Sequence, residues 1–240
     1  MKRLAIGALA VLALAVGAAW YGKDRTPGEP LPLFTSLPIY WSETPDIATA
    51  LGREEPPHWA RQAIEEARPL RPLDTLDAAH LRGRRDLLMI QPRPLSPAEN
   101  VALDSWVGEG GHLLLFADPA LTGPSAFALG DRRRPQDTVL LSPILARWGL
   151  RLEFDAGQAS GEHVAEIGQA RLAVNLPGRF AAQSGGRADG TCRIEAGGLA
   201  AGCRIGKGTV LAIADAALFE PADDATPRET ALAVLLERAF

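Results

Sequence analysis

The sequence predicts an α/β fold with a mostly parallel sheet, helices on both faces and a late antiparallel hairpin. Short apolar runs alternate with helical segments along most of the chain, which is the pattern of strand–helix–strand units. Two cysteines late in the chain flank a Gly-Gly pair, as expected of a tight hairpin. The composition is that of a folded globular domain, since 47% of the residues are hydrophobic and 22% are charged.

The N-terminus predicts a membrane segment. Lys2 and Arg3 precede the uncharged run Leu4–Tyr21, which at 1.5 Å per residue spans roughly 27 Å, just enough for a thin bilayer. A cleaved signal peptide is the alternative, because residues 16–18 (Val-Gly-Ala) resemble a small-residue cleavage site. We expect a single-pass inner-membrane protein with its C-terminal domain in the periplasm, or a secreted periplasmic protein after cleavage.

Three regions are expected along the chain. Residues 1–21 are the transmembrane anchor or signal peptide. Residues 22–32 form a polar stalk rich in Pro and Gly, which would hold the domain off the membrane. Residues 33–240 are predicted to fold as a single α/β domain.

A recurring Ser/Thr-Pro pair predicts where helices begin, because it places a capping side chain before a proline at the first helical position. The pairs are Thr44-Pro45, Ser96-Pro97, Ser142-Pro143 and Thr226-Pro227. Glu99 and Glu229 stand three residues after two of these caps and predict capping boxes. Another helix is predicted over residues 58–68.

Short apolar runs between the helices predict buried strands of the parallel sheet. They are Leu33–Thr35, Asp86–Gln91, His112–Ala117, Leu150–Phe154, Arg171–Val174 and Thr209–Ala214. A two-residue turn at Gly197-Gly198 would then place Cys192 opposite Cys203, at a separation that suits a disulfide. We predict this disulfide because the domain is expected in an oxidising compartment; two buried free thiols are the alternative.

Composition and motifs argue against several classes of function. With 25 basic and 29 acidic residues and no dense cationic tract, nucleic-acid binding is not expected. The glycines of residues 108–111 follow a predicted helix and precede a strand, the reverse of a phosphate loop. Asp118-Pro119 follows a strand where a hydrolase would carry Ser or Cys, and the four histidines are scattered. We predict no catalytic residue, no metal, no cofactor and no enzymatic activity.

Two acidic residues at predicted strand ends are candidate binding residues. Asp118 and Asp215 each follow a predicted strand, and parallel strands end at one edge of a sheet, where ligands usually bind. The sequence therefore predicts that the two carboxylates meet at this edge. The alternative is that both acids are structural caps.

Three consecutive arginines are the other candidate binding residues. Arg132, Arg133 and Arg134 stand in a long loop predicted from Thr122 to Asp137, and such loops often carry function. Their guanidinium groups are suited to clamp an anionic ligand or an acidic partner segment. In the alternative interpretation the loop is solvated, and the arginines pair internally with Asp131 and Asp137.

Three segments resemble a known family. Residues 95–119 read LSPAENVALDSWV, then a glycine pair, then the strand HLLLFADP. Residues 141–150 read LSPILARWGL, and residues 206–215 read GKGTVLAIAD. In this order the segments resemble the auxiliary subunits of gliding-motility-type ABC transporters and related uncharacterised membrane-anchored domains, over roughly residues 70–220.

The resemblance implies a class I glutamine amidotransferase-like fold of the flavodoxin type, without the catalytic Cys-His-Glu set. It implies a non-catalytic, membrane-anchored accessory domain of the cell envelope that binds a ligand or a protein partner, in the service of an ABC transporter. The expected partners are the membrane and an envelope protein. The alternative is a hydrolase or amidotransferase-like enzyme that uses strand-end carboxylates.

Overall fold

The structure is a computed structural model that describes residues 28–43 and 56–240. The predicted anchor, the stalk before residue 28 and the helix expected after Thr44-Pro45 lie outside the described residues. Within the described part of the chain, no helix has both the length and the apolar character needed to cross a bilayer.

The described residues form eleven strands. These are β1 (Leu31–Thr35), β2 (Leu70–Pro72), β3 (Asp86–Ile90), β4 (His112–Phe116), β5 (Leu150–Glu153), β6 (His163–Ile167), β7 (Ala170–Val174), β8 (Arg179–Ala182), β9 (Gly190–Glu195), β10 (Ala200–Ile205) and β11 (Gly208–Ile213). Leu31 and Pro32, which the sequence assigned to the stalk, therefore belong to the first strand.

Seven strands form the central sheet in the order β2-β1-β3-β4-β11-β10-β9. The first five strands in this order are mutually parallel, whereas β10 and β9 are antiparallel additions at one edge. The parallel part has the 2-1-3-4-5 order of flavodoxin-like folds. The predicted fold class is confirmed.

Five α-helices accompany the sheet in the described residues. They are α1 (Trp59–Glu65), α2 (Ala78–Leu81), α3 (Pro97–Glu109), α4 (Ser142–Arg147) and α5 (Thr226–Ala239). Helices α1 and α5 pack on one face of the sheet, and α2, α3 and α4 pack on the other. Alternate residues of β3 enter the two cores, Leu88 and Ile90 on one side and Leu87 and Met89 on the other. A strand buried on both faces explains the continuous apolar run in the sequence.

The helix starts agree only partly with the Ser/Thr-Pro prediction. At α3 the capping box forms as predicted, with Ser96 accepting from the amide of Glu99 and Glu99 accepting from the amide of Ser96. Helix α4 instead begins at Ser142, so that its cap is Leu141, and α5 is capped by Ala225 without a side-chain hydrogen bond. The predicted capping box at Glu229 is therefore wrong.

Two predicted strands lie outside the central sheet. β5 pairs with β8 and β7 pairs with β6, in both cases antiparallel and in separate two-stranded sheets. The expectation that residues 150–154 and 171–174 add parallel strands to the main sheet is wrong. In β7 buried residues alternate with more exposed ones, as suits a strand with one covered face.

The predicted hairpin and its Cys192–Cys203 disulfide are confirmed, although residues 196–199 form a four-residue connection in place of the expected two-residue turn. β9 and β10 pair in the register that sets Cys192 opposite Cys203, and the two residues form a disulfide with their Cα atoms 4.1 Å apart. Gly197 and Gly198 turn the chain with φ values of +67° and +104°, a region that glycine adopts without steric cost.

Candidate functional site

Asp118 and Asp215 lie side by side at the C-terminal edge of the parallel strands. β4 and β11 are parallel neighbours whose last paired residues are Phe116 and Ile213. Each aspartate stands two residues beyond this pair, so that the register places both at one edge. Asp118 is fully buried, and only 2% of Asp215 is exposed. The structure thus brings together the two acids that the sequence singled out.

Both carboxylate oxygens of Asp118 accept backbone hydrogen bonds. Oδ1 accepts from the amide of Ala120 at 2.7 Å, within the loop that follows β4. Oδ2 accepts from the amide of Ala216 at 3.1 Å, in the segment that follows β11. Asp118 therefore ties together the chain segments that leave two neighbouring strands.

Both carboxylate oxygens of Asp215 likewise accept hydrogen bonds from backbone amides. Its Oδ1 accepts from the amide of Ala217 at 2.7 Å, and its Oδ2 accepts from the amide of Asn175 at 3.0 Å. The second contact holds the end of β7 against the central sheet. All four carboxylate oxygens of the pair are thus occupied by backbone amides, as expected of structural caps.

Burial of the two neighbouring carboxylates opposes their ionisation. Desolvation raises the pKa of Asp118 to about 6, although the hydrogen bonds from Ala120 and Ala216 act in the opposite direction. Desolvation also raises the pKa of Asp215 to about 8, and the negative charge of Asp118 adds to this increase. Near neutral pH the pair therefore carries less than its full negative charge.

A polar cluster closes over Asp215. The hydroxyl of Thr122 donates to Glu220 at 2.5 Å and accepts from the side-chain amide of Asn175 at 3.0 Å. Arg228, only 5% exposed, donates to the backbone carbonyl oxygens of Ala217, Leu218 and Glu220. These contacts fix the segment after β11 from both sides.

Gln91 is a residue of this edge that the sequence analysis missed. It follows β3 directly, is fully buried and has a φ of +43°. Its Oε1 accepts from the amide of Asp118 at 2.9 Å, and its Nε2 donates to the carbonyl oxygens of Asp118 and Gln136 at 3.0 and 2.7 Å. A polar residue directly after an apolar strand was the available signal.

Gln91 also marks the point between β1 and β3, where the strand order reverses and doubly wound folds usually bind ligands. Here that point is filled by the chain itself. The hydroxyl of Ser36, just after β1, donates to the carbonyl oxygen of Gln91 at 2.5 Å and accepts from the amide of Gln136 at 3.0 Å. The long loop is thereby fastened across the usual ligand position.

Two of the three predicted arginines are paired within the loop. Arg133 binds Asp131 at 2.7 Å and lies 4.3 Å above the ring of Phe127, and Arg134 binds Asp137 at 2.9 Å. Both internal pairs of the alternative interpretation are therefore present. The side chain of Arg132 is exposed.

Large apolar side chains are exposed around the same loop, a feature that the sequence analysis also missed. A cleft of about 350 Å³ is lined by Thr35, Trp41, Phe127 and Arg133 among other residues, and 72% of Trp41 is exposed. Leu129 is 82% exposed. Exposed tryptophan, leucine and arginine side chains in one region are typical of protein-binding surfaces.

Metal binding finds no support in the described residues, where no group of three or more His, Cys, Asp or Glu side chains is placed to hold an ion. His163 and Glu166 belong to β6. Glu162, directly before that strand, pairs with Arg228.

Neither protein-family profiles nor curated proteins match the chain. Among solved structures, it resembles a ThuA-like protein from Bacteroides uniformis (TM-score 0.45, 9% identity, covering 91% of this chain and 92% of that one). A cytoplasmic protein from Salmonella typhimurium LT2 has a TM-score of 0.47 and 11% identity, covering 88% and 99%. An exo-β-1,4-mannosidase from an Opitutaceae bacterium has a TM-score of 0.44 and 12% identity, and the match covers 94% of this chain and 36% of the mannosidase. The chain thus spans about a third of that mannosidase. These similarities carry no functional argument, and the fold assignment rests on the strand order.

Proposed function

We propose that this chain is a non-catalytic accessory domain of the cell envelope, tethered to the inner membrane by residues 1–21, with its α/β domain in the periplasm. It binds a protein partner through the C-terminal edge of its sheet. The resemblance of its three sequence segments to transporter auxiliary subunits supports an ABC transporter as the partner assembly.

One observation carries the proposal. At the edge where flavodoxin-like folds place reactive groups, the carboxylates of Asp118 and Asp215 are buried and occupied by backbone amides. The residues exposed in the segments that follow β1 and β4 at this edge are instead Trp41, Leu129 and Arg132. Carboxylates that are closed off, together with exposed apolar and cationic side chains at the same edge, favour binding over catalysis.

The disulfide supports an exported location. Cys192 and Cys203 pair across two adjacent strands, and no free cysteine is found among the described residues. Disulfides persist in oxidising compartments and are rare in the cytosol. The uncharged N-terminal run provides the export signal that such a location requires.

The test is in vivo crosslinking followed by purification of the full-length protein from membranes. The double variant Trp41→Ala/Leu129→Ala should recover its crosslinked partner at least about tenfold less than the wild type, because a buried aromatic anchor often contributes 2 kcal/mol or more to an interface. Replacement of Arg132, Arg133 and Arg134 by Ala should weaken recovery in the same direction.

The matched control is Val164→Ala, since Val164 is also an exposed apolar residue but lies on β6. This variant should recover the partner as the wild type does. If the Trp41 and arginine variants both recover the partner fully, the loop does not form the binding surface and the proposal fails.

The raised pKa values of Asp118 and Asp215 favour a second candidate, a hydrolase or amidotransferase-like enzyme in which these carboxyls exchange a proton near neutral pH. For that function the edge must open, because both side chains are shielded from solvent. Substrate turnover that disappears in a folded Asp118→Asn variant would favour the enzyme over the binding domain.

A further inference from the structure

A second group of arginines lies at the opposite edge of the sheet. Arg82, Arg84 and Arg85, the edge arginines, stand in the turn between α2 and β3. β1 and β3 are parallel neighbours, so this turn lies at the same edge as the start of β1. The chain enters the domain there, at Gly28, which packs against the side chain of Arg68.

The edge arginines border an apolar cleft. It has a volume of about 1060 Å³ and is lined by all three arginines together with residues of α2 and α3, among them Leu81, Val101 and Trp106. Val101 is 67% exposed although it is apolar. Cationic side chains beside exposed apolar surface match the boundary between lipid headgroups and acyl chains.

The charges of the edge arginines are available for binding. None of the three forms an ion pair with another residue in the described ranges. Two acids also line the cleft, Asp77 and Glu109. Asp77 is already engaged by the backbone amides of Ala79 and His80, at the start of α2.

We infer that this edge of the domain faces the bilayer and that the edge arginines bind the headgroups of anionic phospholipids. The inference rests on the proposed membrane tether. Residues 22–30 connect the anchor to β1, and nine extended residues reach at most about 30 Å. The edge at which they enter is therefore held close to the membrane surface.

Charge makes the orientation specific. Without Lys2 and Arg3 the chain retains 23 basic and 29 acidic residues, a net charge of −6. An acidic domain is repelled by an anionic surface except where cations are concentrated. The edge arginines are such a concentration, next to the tether.

The test uses the full-length protein in nanodiscs of phosphatidylcholine alone, or with phosphatidylglycerol added, and limited trypsin digestion followed by mass spectrometry. The anionic lipid should slow cleavage after the edge arginines at least about tenfold. High salt should abolish this protection, because it screens exposed charges. Cleavage after Arg132 and Arg133, at the opposite edge, should be equal in both lipids.

Hydrogen exchange extends the test to variants that lack the trypsin sites. With anionic lipid, amides of residues 82–85 and the end of α3 should be protected in the wild type and in a variant with Arg132, Arg133 and Arg134 replaced by Gln. The triple variant R82Q/R84Q/R85Q should lose this protection. Equal exchange of the wild type in both lipids, or protection of the opposite edge instead, overturns the inference.

Size-exclusion chromatography of the same samples distinguishes failure of the proposed membrane tether from failure of the inference on the edge arginines. A protein that elutes separately from discs of pure phosphatidylcholine is not anchored, and the proposed tether then fails. The inference on the edge arginines is decided in that case by whether phosphatidylglycerol restores co-elution of the wild type but not of R82Q/R84Q/R85Q. Absence of co-elution in both lipids overturns it.

Discussion

Among single residues, Gln91, Asp118 and Asp215 close the edge of the sheet where a ligand is usually found. Gln91 joins the ends of two strands and the long loop with one side chain. Asp118 and Asp215 each bind two backbone amides, and a buried amide without a partner would cost about 1–3 kcal/mol. Their main role in the described structure is to hold irregular backbone in place.

Titration of Asp215 should make the protein less stable as the pH rises. The pKa of an unfolded aspartate is about 3.9, whereas burial and the charge of Asp118 raise the pKa of Asp215 to about 8 in the folded state. Between these values the folded state retains a proton that the unfolded state has lost, so that the free energy of unfolding falls with increasing pH. Asp215→Asn removes this titration.

The measurement is denaturant unfolding of wild type and Asp215→Asn across this pH range. The variant should be less stable at acid pH, because the new amide group opposes one of two backbone donors, and the deficit should shrink by a few kcal/mol as the pH approaches about 8. Asp223→Asn, at an exposed acid, should follow the wild type throughout. A deficit that is constant or grows with pH contradicts the explanation.

Among the secondary-structure elements, those with a strong local pattern were predictable. β3 and β4 are apolar on both faces and α3 has a complete capping box, so that the sequence marks them by itself. β2 was missed because Leu-Arg-Pro has no strand pattern, and β6 because most of its residues are polar or exposed. β5 and β7 were recognised as strands, but an apolar run does not specify which strand it pairs with.

For the candidate site, too, a local sequence pattern does not specify which distant segments come into contact. Asp118 and Asp215 were predictable because each follows an apolar strand, and parallel strands bring such positions to one edge. The roles of Gln91 and Trp41 were not predictable, since both depend on contacts with the long loop, and the position of Gln91 directly after an apolar strand does not show what its side chain binds. Only the three-dimensional contacts between segments distant in sequence show the roles of these two residues.

Among the elements, the disulfide of the cysteine hairpin is expected to stabilise the folded protein. Removing the crosslink with Cys192→Ala/Cys203→Ala should lower the free energy of unfolding by about 3 kcal/mol, because a covalent loop of this size restricts the unfolded chain. Urea denaturation of oxidised protein measures the change. A reductant should destabilise the wild type by a similar amount and leave the double variant unaffected. Two titratable thiols in denatured, unreduced wild type would show that the bond is absent.

In the whole molecule, our proposals assign separate roles to the two edges of the parallel sheet. The chain enters at the N-terminal edge next to the edge arginines, and Trp41 with the long loop lies at the C-terminal edge. In a parallel sheet these edges are opposite by construction. A domain tethered by its first strand therefore presents the proposed partner surface away from the bilayer.

The final prediction concerns the tether on which this orientation depends. Full-length protein should remain in the inner-membrane pellet after a high-salt wash, because eighteen uncharged residues bury apolar surface that salt does not release. Leu12→Arg/Leu14→Arg should remove it from the membrane, since each arginine near the centre of a span costs about 2.5–3.5 kcal/mol. Leu12→Val/Leu14→Val is the matched control and should remain membrane-bound. Immunoblotting of washed membranes and periplasm measures both, and N-terminal sequencing identifies any released form. A wild-type protein recovered from the periplasm with an N-terminus near Ala19 would instead establish a cleaved signal peptide, and the domain would then be free of the membrane.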